Sequence, residues 1–177
     1  IKHKYVAKTR LEELICRKAI NIERAEYSLG TLGGGNHFIE VDKDDEGHLY
    51  LVVHSGSRHL GLEVAGYYQH LAEEQLCGRD KDSVRAMIND LKAQGRHSEI
   101  ASEILKLKTS TVDIPKDLAY VSGQLFEDYS HDMKIVQEYA KWNRRAITDT
   151  ILNCLCMFGV DDFETVHNYI DTKDMIL

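Results

Sequence analysis

The spacing of apolar and polar positions changes character several times along the chain. From residue 9 to residue 21 (TRLEELICRKAIN), Leu11, Leu14, Ile15 and Ile20 fall on roughly one face of a helix, with Thr9 available as its N-cap. Two alternating stretches follow the glycine-rich GTLGGG: NHFIEVD (36–42) and HLYLVVHSG (48–56), separated by acidic DDEG. Beyond Gly61 the apolar period lengthens to three and four. LEVAGYYQHLAEEQL, SVRAMINDLKAQ with a serine cap, and HSEIASEILKLK read as a helical layer. Pro115 lies in a connection, and the stretch from Ser122 to Phe158 supplies one or two further helices. Alternation returns in DFETVHNYID (162–171), which is strand-like. The pattern predicts an α+β fold in which mixed or antiparallel strands carry any site.

A four-residue loop ending in glycine suits a hairpin. With Asp44 to Gly47 as that loop, Lys43 faces His48, Val41 faces Tyr50 and His37 falls opposite His54. Cross-strand partners have Cβ atoms about 4.5–5.5 Å apart, so the two imidazoles could share a metal or ligand. A slip of one residue would break that pairing.

Composition narrows the class. A chain of 177 residues, 43% hydrophobic and 29% charged, can build a core and gives no reason to expect disorder. Apolar runs stay short of the roughly 18 residues that span a bilayer, and the basic start IKHKYVAKTR has no apolar signal segment behind it. A cytoplasmic location is expected. Cys16, Cys77, Cys154 and Cys156 have no zinc-ribbon or CxxC spacing and are expected as reduced thiols, mostly in packing roles. A net charge of −7 disfavours nonspecific coating of nucleic acid but leaves room for a local basic site.

Among the nine histidines, His3, His48, His70, His97 and His131 occupy polar surroundings and read as surface residues. His37, His54 and His167 differ, because each lies near a strand end beside a polar neighbour: Asn36, Ser55 and Asn168. Neutral imidazoles so placed suit a borderline divalent cation, and suit ordinary hydrogen bonding as well. The glycine run is open to two readings, a tight turn or a phosphate cradle, and it matches neither GxxxxGK[ST] nor GxGxxG. The segment Ser55 to Arg58 is equally two-sided, a phosphate site or a capped turn before a helix.

Four segments in order, GTLGGGNHFIEV, HSGSRHLG, EYAKWNR and VHNYI, resemble the RtcB family of RNA ligases over about residues 28 to 171. The resemblance implies a partial RtcB-like catalytic domain over residues 1–177, with a helical insertion at about 61–159. It implies a two-manganese site and the GTP-dependent joining of RNA 2′,3′-cyclic phosphate or 3′-phosphate ends to 5′-hydroxyl ends, through a histidine–GMP intermediate. His54 and His167 are implied as ligands of one manganese and His37 as a ligand of the second. Asn36, His37, Phe38, Ile39 and Glu40, with His167 and Asn168, resemble the guanylate-contacting segments, Glu40 accepting from guanine N–H groups. Arg58 is implied as an RNA phosphate contact.

The family's upstream DxxCG segment has no match before Gly30; Glu74 to Gly78 (EQLCG) lies downstream in a helical pattern, so Cys77 reads as a packing residue. The nucleophilic histidine is expected beyond VHNYI, outside this chain, and none of the nine histidines is assigned that role. His59 is unusual at its position. The expectation is therefore a monomeric fragment that binds manganese weakly and does not ligate RNA alone. Two other classes compete: a metal-dependent phosphoesterase acting on cyclic phosphates without GTP, and a non-catalytic RNA-binding module using Lys141 to Arg145.

Overall fold

A computed structural model describes residues 2–76, 81–109 and 115–165. In order along the chain, these contain three short 3-10 turns, helix α1 (Ile22–Ser28), strands β1 (Phe38–Lys43) and β2 (Leu49–His54), and helices α2 (Arg58–Leu76), α3 (Lys81–Ala93), α4 (Ile100–Thr109) and α5 (Gln124–Cys154), with two further 3-10 turns at His97–Glu99 and Lys116–Leu118. This is an α-rich α+β arrangement whose described sheet is one antiparallel hairpin.

The core forms where α2 and α5 pack together and the N-terminal segment wraps across them. Leu60, Val64, Tyr68 and Ala72 recur every four residues on α2 and are buried as one stripe. On α5 the buried stripe runs through Asp132, Ile135, Tyr139, Asn143 and Ala146. Leu11, Leu14, Cys16, Ile20, Ala25 and Leu29 complete the cluster. At 31 residues α5 is one unbroken helix, about 46 Å long at 1.5 Å per residue. It is the element against which the others are placed.

Residues 9–21 are not the predicted helix. They form 3-10 turns at Leu11–Glu13 and Arg17–Ala19, with Arg10 left-handed at φ 51°. Of the expected apolar face, Leu11, Leu14 and Ile20 are buried, but Ile15 is 51% exposed and the backbone is held from outside. The amides of Ile15 and Cys16 donate to the two carboxylate oxygens of Asp132 at 2.9 and 3.0 Å, and the Tyr68 hydroxyl donates to the same carboxylate at 2.8 Å. A buried acceptor on α5 thus replaces the i−4 carbonyls a helix would use. Thr9 caps nothing ahead of it; its hydroxyl donates back to the Val6 carbonyl at 2.7 Å.

The hairpin is present, with its register shifted by one. Asp44, not Lys43, closes the loop: its N–H donates to the His48 carbonyl at 3.1 Å, and its Oδ1 accepts from the amides of Glu46 and His48. The loop proper is Asp45–Gly47, with Gly47 supplying the positive φ that a three-residue hairpin needs at this place. Val41 consequently faces Leu51, and Phe38 rather than His37 faces His54. Helix α3 begins at Lys81, so Ser83 lies inside it rather than capping it. The residues of 162–165 are not strand, and the remainder of that predicted strand, with Cys77, lies outside the described residues. Cys16 packs in the core as expected, whereas Cys154 and Cys156 are exposed.

Burial, followed by the Asp132 carboxylate beside it, pushes the Cys16 thiol up to about 12, and the same two causes raise the Tyr68 phenol; burial alone raises Tyr139. In the unfolded chain Cys16 ionises near its ordinary value of 9.0. Between that value and about 12 the unfolded state therefore holds fewer protons than the folded one, and stability falls as pH rises. The urea midpoint is expected to be level between pH 7 and 8 and to drop progressively above about 9. Replacing Cys16 with Ala should flatten part of that drop; an unchanged slope would show that the thiol is not held neutral.

Candidate functional site

The glycine run, the hairpin exit and α5 meet at Asn143, which has no exposed surface. Its Oδ1 accepts from the Gly30 amide at 2.8 Å. Its Nδ2 donates toward the Thr31 carbonyl, the Ser55 hydroxyl and the Gly56 carbonyl at 3.2, 3.0 and 3.1 Å. Two N–H bonds facing three acceptors means that one hydrogen is shared, and the amide orientation is dictated because only its oxygen can receive Gly30. The Ser55 hydroxyl in turn donates to the Leu32 carbonyl at 2.7 Å. One side chain thereby joins residues 30–32 to residues 55–56.

Two arginines brace the same joint. Arg58, left-handed at φ 58°, donates Nε to Thr31 Oγ1 and Nη1 to the Leu32 carbonyl, both at 3.1 Å. Arg144 donates Nη1 to the Ser55 carbonyl at 3.0 Å and reaches Glu164 with Nε at 2.9 Å. The KWNRR stretch is thus turned partly inward: Asn143 and Arg144 serve this frame, and Arg145 is ion-paired to Asp149 and Asp162.

The frame holds His37. Its Nδ1 is buried and has no hydrogen-bond partner. A Cβ on Gly33 would stand 1.7 Å from Arg58 Nη1 and 2.6 Å from His37 Nδ1, and Gly33 also has φ +102°. Space and backbone conformation therefore both require glycine where imidazole and guanidinium pack onto the loop. On the other side, a Cβ on Gly56 would stand 3.7 Å from His37 Nε2, an ordinary contact.

Although the ladder does not pair them, the rings of His37 and His54 have centroids 6.0 Å apart. His37 precedes β1, so its direction is not set by the pleat. An ion bound by two ring nitrogens at about 2.1 Å brings ring centroids to roughly 5–6.5 Å, so this spacing fits a shared ion or two adjacent ones. The orphaned Nδ1, on the side of the ring that faces Gly33 and Arg58, separately calls for a partner, since a buried unpaired polar atom costs about 1–3 kcal/mol unless something binds it. Among the described residues, no third His, Cys, Asp or Glu completes a cluster. His167 and Asn168 lie outside the described residues.

Phe38 stacks on His54, with centroids 5.1 Å apart and planes 11° from parallel. Phe38 and Glu40 share one face of β1, opposite His54 and Val52, while Ile39 points to the other face. Asn36 and Glu40 are exposed, and Phe38 is 41% exposed. Of the histidines expected at the surface, His48, His70 and His97 are exposed; His3 and His131 are half-buried, His3 capping the first 3-10 turn. His59 lies against Glu63 at 3.2 Å on α2. Sequence reasoning gave Asn143 no part in positioning the imidazoles. The available signal was a polar residue interrupting the apolar stripe Ile135, Tyr139, Ala146.

Asn143→Asp is expected to destabilise the protein by about 3 kcal/mol or more, because a carboxylate oxygen would confront three acceptors in a buried site. Urea unfolding reads this directly. A change below about 0.5 kcal/mol, the range of ordinary surface substitutions, would mean that the amide does not hold the joint.

The family model described as tRNA-splicing ligase RtcB matches residues 6–175. RNA-splicing ligase RtcB of Escherichia coli K12 is 29% identical over 158 residues, covering 82% of this chain and 31% of that protein. The tRNA-splicing ligases RtcB of Thermococcus kodakarensis and Methanopyrus kandleri are 38% identical over 66 residues and 37% over 70. These shorter matches cover 29% and 31% of this chain, and 14% and 7% of those proteins. No solved structure matches the chain. The chain spans under a third of the length of the Escherichia coli relative. With the matched region running almost end to end, the chain belongs to the RtcB family of tRNA-splicing ligases.

Proposed function

We propose that this chain forms the histidine-bearing wall of a GTP- and manganese-dependent RNA ligase that joins 2′,3′-cyclic phosphate or 3′-phosphate ends to 5′-hydroxyl ends. The observation that carries the reading is His37 Nδ1, buried without a partner and held beside His54 by the Asn143 frame. In this reading His37 and His54 bind manganese together with His167, and the metal supplies Lewis-acid stabilisation of phosphoryl oxygens. Arg58, at the start of α2, adds positive charge against the glycine loop, its Nη2 having no protein acceptor among the described residues. The open face of β1 receives guanine: Glu40 accepts its N–H groups and Phe38 packs on its ring, while Asn36 and Ile39 contribute through the loop and backbone. Asn168 completes the guanylate contact beside His167. The nucleophilic histidine is supplied from outside these 177 residues.

The test is a manganese titration of the isolated chain, paired with assays for GMP transfer and for RNA joining. Weak manganese binding is expected, falling at least tenfold in His37→Ala and in His54→Ala, with no protein–GMP adduct and no ligated RNA. Robust guanylylation of the isolated chain would contradict the placement of the nucleophile. Manganese-dependent opening of a 2′,3′-cyclic phosphate without GTP would replace the ligase reading with a phosphoesterase.

A further inference from the structure

Away from the histidines, α5 floors a groove of about 340 Å³ lined by Lys134, Gln137, Glu138, Lys141, Trp142 and Glu164. One rim is the N-terminal segment: Lys8 Nζ lies 4.5 Å over the Trp142 ring, and Arg10 Nη1 lies 3.6 Å from Glu138. The far end is Glu164, held by Arg144.

The charges do not cancel. Arg10 is held by Glu13 and comes only to 3.6 Å of Glu138, while Glu164 is engaged by Arg144. Lys141 comes only to 3.9 Å of the already occupied Glu164, and Lys8 and Lys134 contact no carboxylate among the described residues. Lys8, Arg10, Lys134, Lys141 and Arg144 against Glu13, Glu138 and Glu164 leave two surplus positive charges around the groove, in a chain whose net charge is −7. Independently, Trp142 Nε1 is buried and has no acceptor. A strong donor beside surplus cations calls for an anionic oxygen.

Arg144 links this groove to the histidines. The guanidinium that holds Glu164 also holds the Ser55 carbonyl, one residue after His54. Lys141 and Lys134 lie two turns apart on α5, about 10.5 Å along the axis, so the positive track leads away from His54. We propose that the groove binds the phosphodiester backbone of single-stranded RNA leading to the site, with Trp142 Nε1 donating to a phosphate oxygen and Lys8, Lys134 and Lys141 neutralising neighbouring phosphates. This rests on the ligase reading and adds to it where the body of the substrate lies.

Trp142 is the chain's only tryptophan, so its fluorescence reports the groove without a label. Binding of a short single-stranded RNA is measured by that fluorescence and by anisotropy of a dye on the RNA, across a salt series. RNA is expected to change the Trp142 emission saturably. Lys134→Glu with Lys141→Glu should weaken binding at least tenfold and flatten the log–log salt dependence by about 1.4, at about 0.7 per lost phosphate contact. Trp142→Phe, followed by anisotropy, should weaken binding several-fold with the salt dependence kept. Manganese affinity should stay unchanged in the lysine double variant. RNA binding that is unaltered by the double variant overturns the groove and leaves the ligase reading standing. Loss of folding stability in that variant with RNA affinity intact assigns the groove to a protein segment instead. Absence of RNA binding by the unaltered chain also overturns the groove, while the ligase reading is decided separately by the manganese titration.

Discussion

One amide group sets the geometry on which the site depends. Asn143 is fully buried, and its Oδ1 and Nδ2 tie the glycine run to the turn that leaves the hairpin. Neither loop has regular secondary structure to fix it, and buried backbone groups outside helices and strands need partners from elsewhere. A helix supplies them here. Because the amide both accepts and donates, it can serve an N–H and several oxygens at once, which no apolar or singly functional side chain of its size could do.

The same device is repeated along α5. Asp132 receives the amides of Ile15 and Cys16, the Tyr139 hydroxyl donates to the Ala25 carbonyl at 2.7 Å, and Asn143 receives Gly30. These residues are seven and four apart, so they lie on one face, interleaved with Ile135 and Ala146. Successive stretches of the N-terminal thirty residues are therefore laid along a single rigid helix. Apolar burial brings the segment to the helix and the polar groups decide its register. The hairpin depends on this support, because a two-stranded ribbon with Val41 and Leu49 more than half exposed has little core of its own.

Local patterns were legible in proportion to how local their causes are. The hairpin, α2 and the long α5 follow from period and turn residues, and their positions agree with the sequence reading. The hairpin register failed by one because Asp44 turns its carboxylate back on the loop and pairs with His48, a side-chain effect that alternation does not encode. The helix expected over 9–21 failed because its amides answer to Asp132, more than a hundred residues away. The candidate site divides the same way. His37 and His54 were identified from their strand-end positions and four ordered motifs, and their rings do come together, though by a loop conformation rather than by ladder pairing. Asn143 and Ser55 were missed as the cause, since their partners are distant in sequence.

The account's central claim is that the Asn143 frame holds His37 and His54 ready for metal. The direct measurement is anomalous X-ray scattering at the manganese edge from crystals of the protein grown with Mn²⁺. The account predicts an anomalous peak within bonding distance, about 2.2 Å, of a ring nitrogen of His37 or His54. A manganese peak elsewhere, with both imidazoles ordered and neither in contact with the metal, would contradict it.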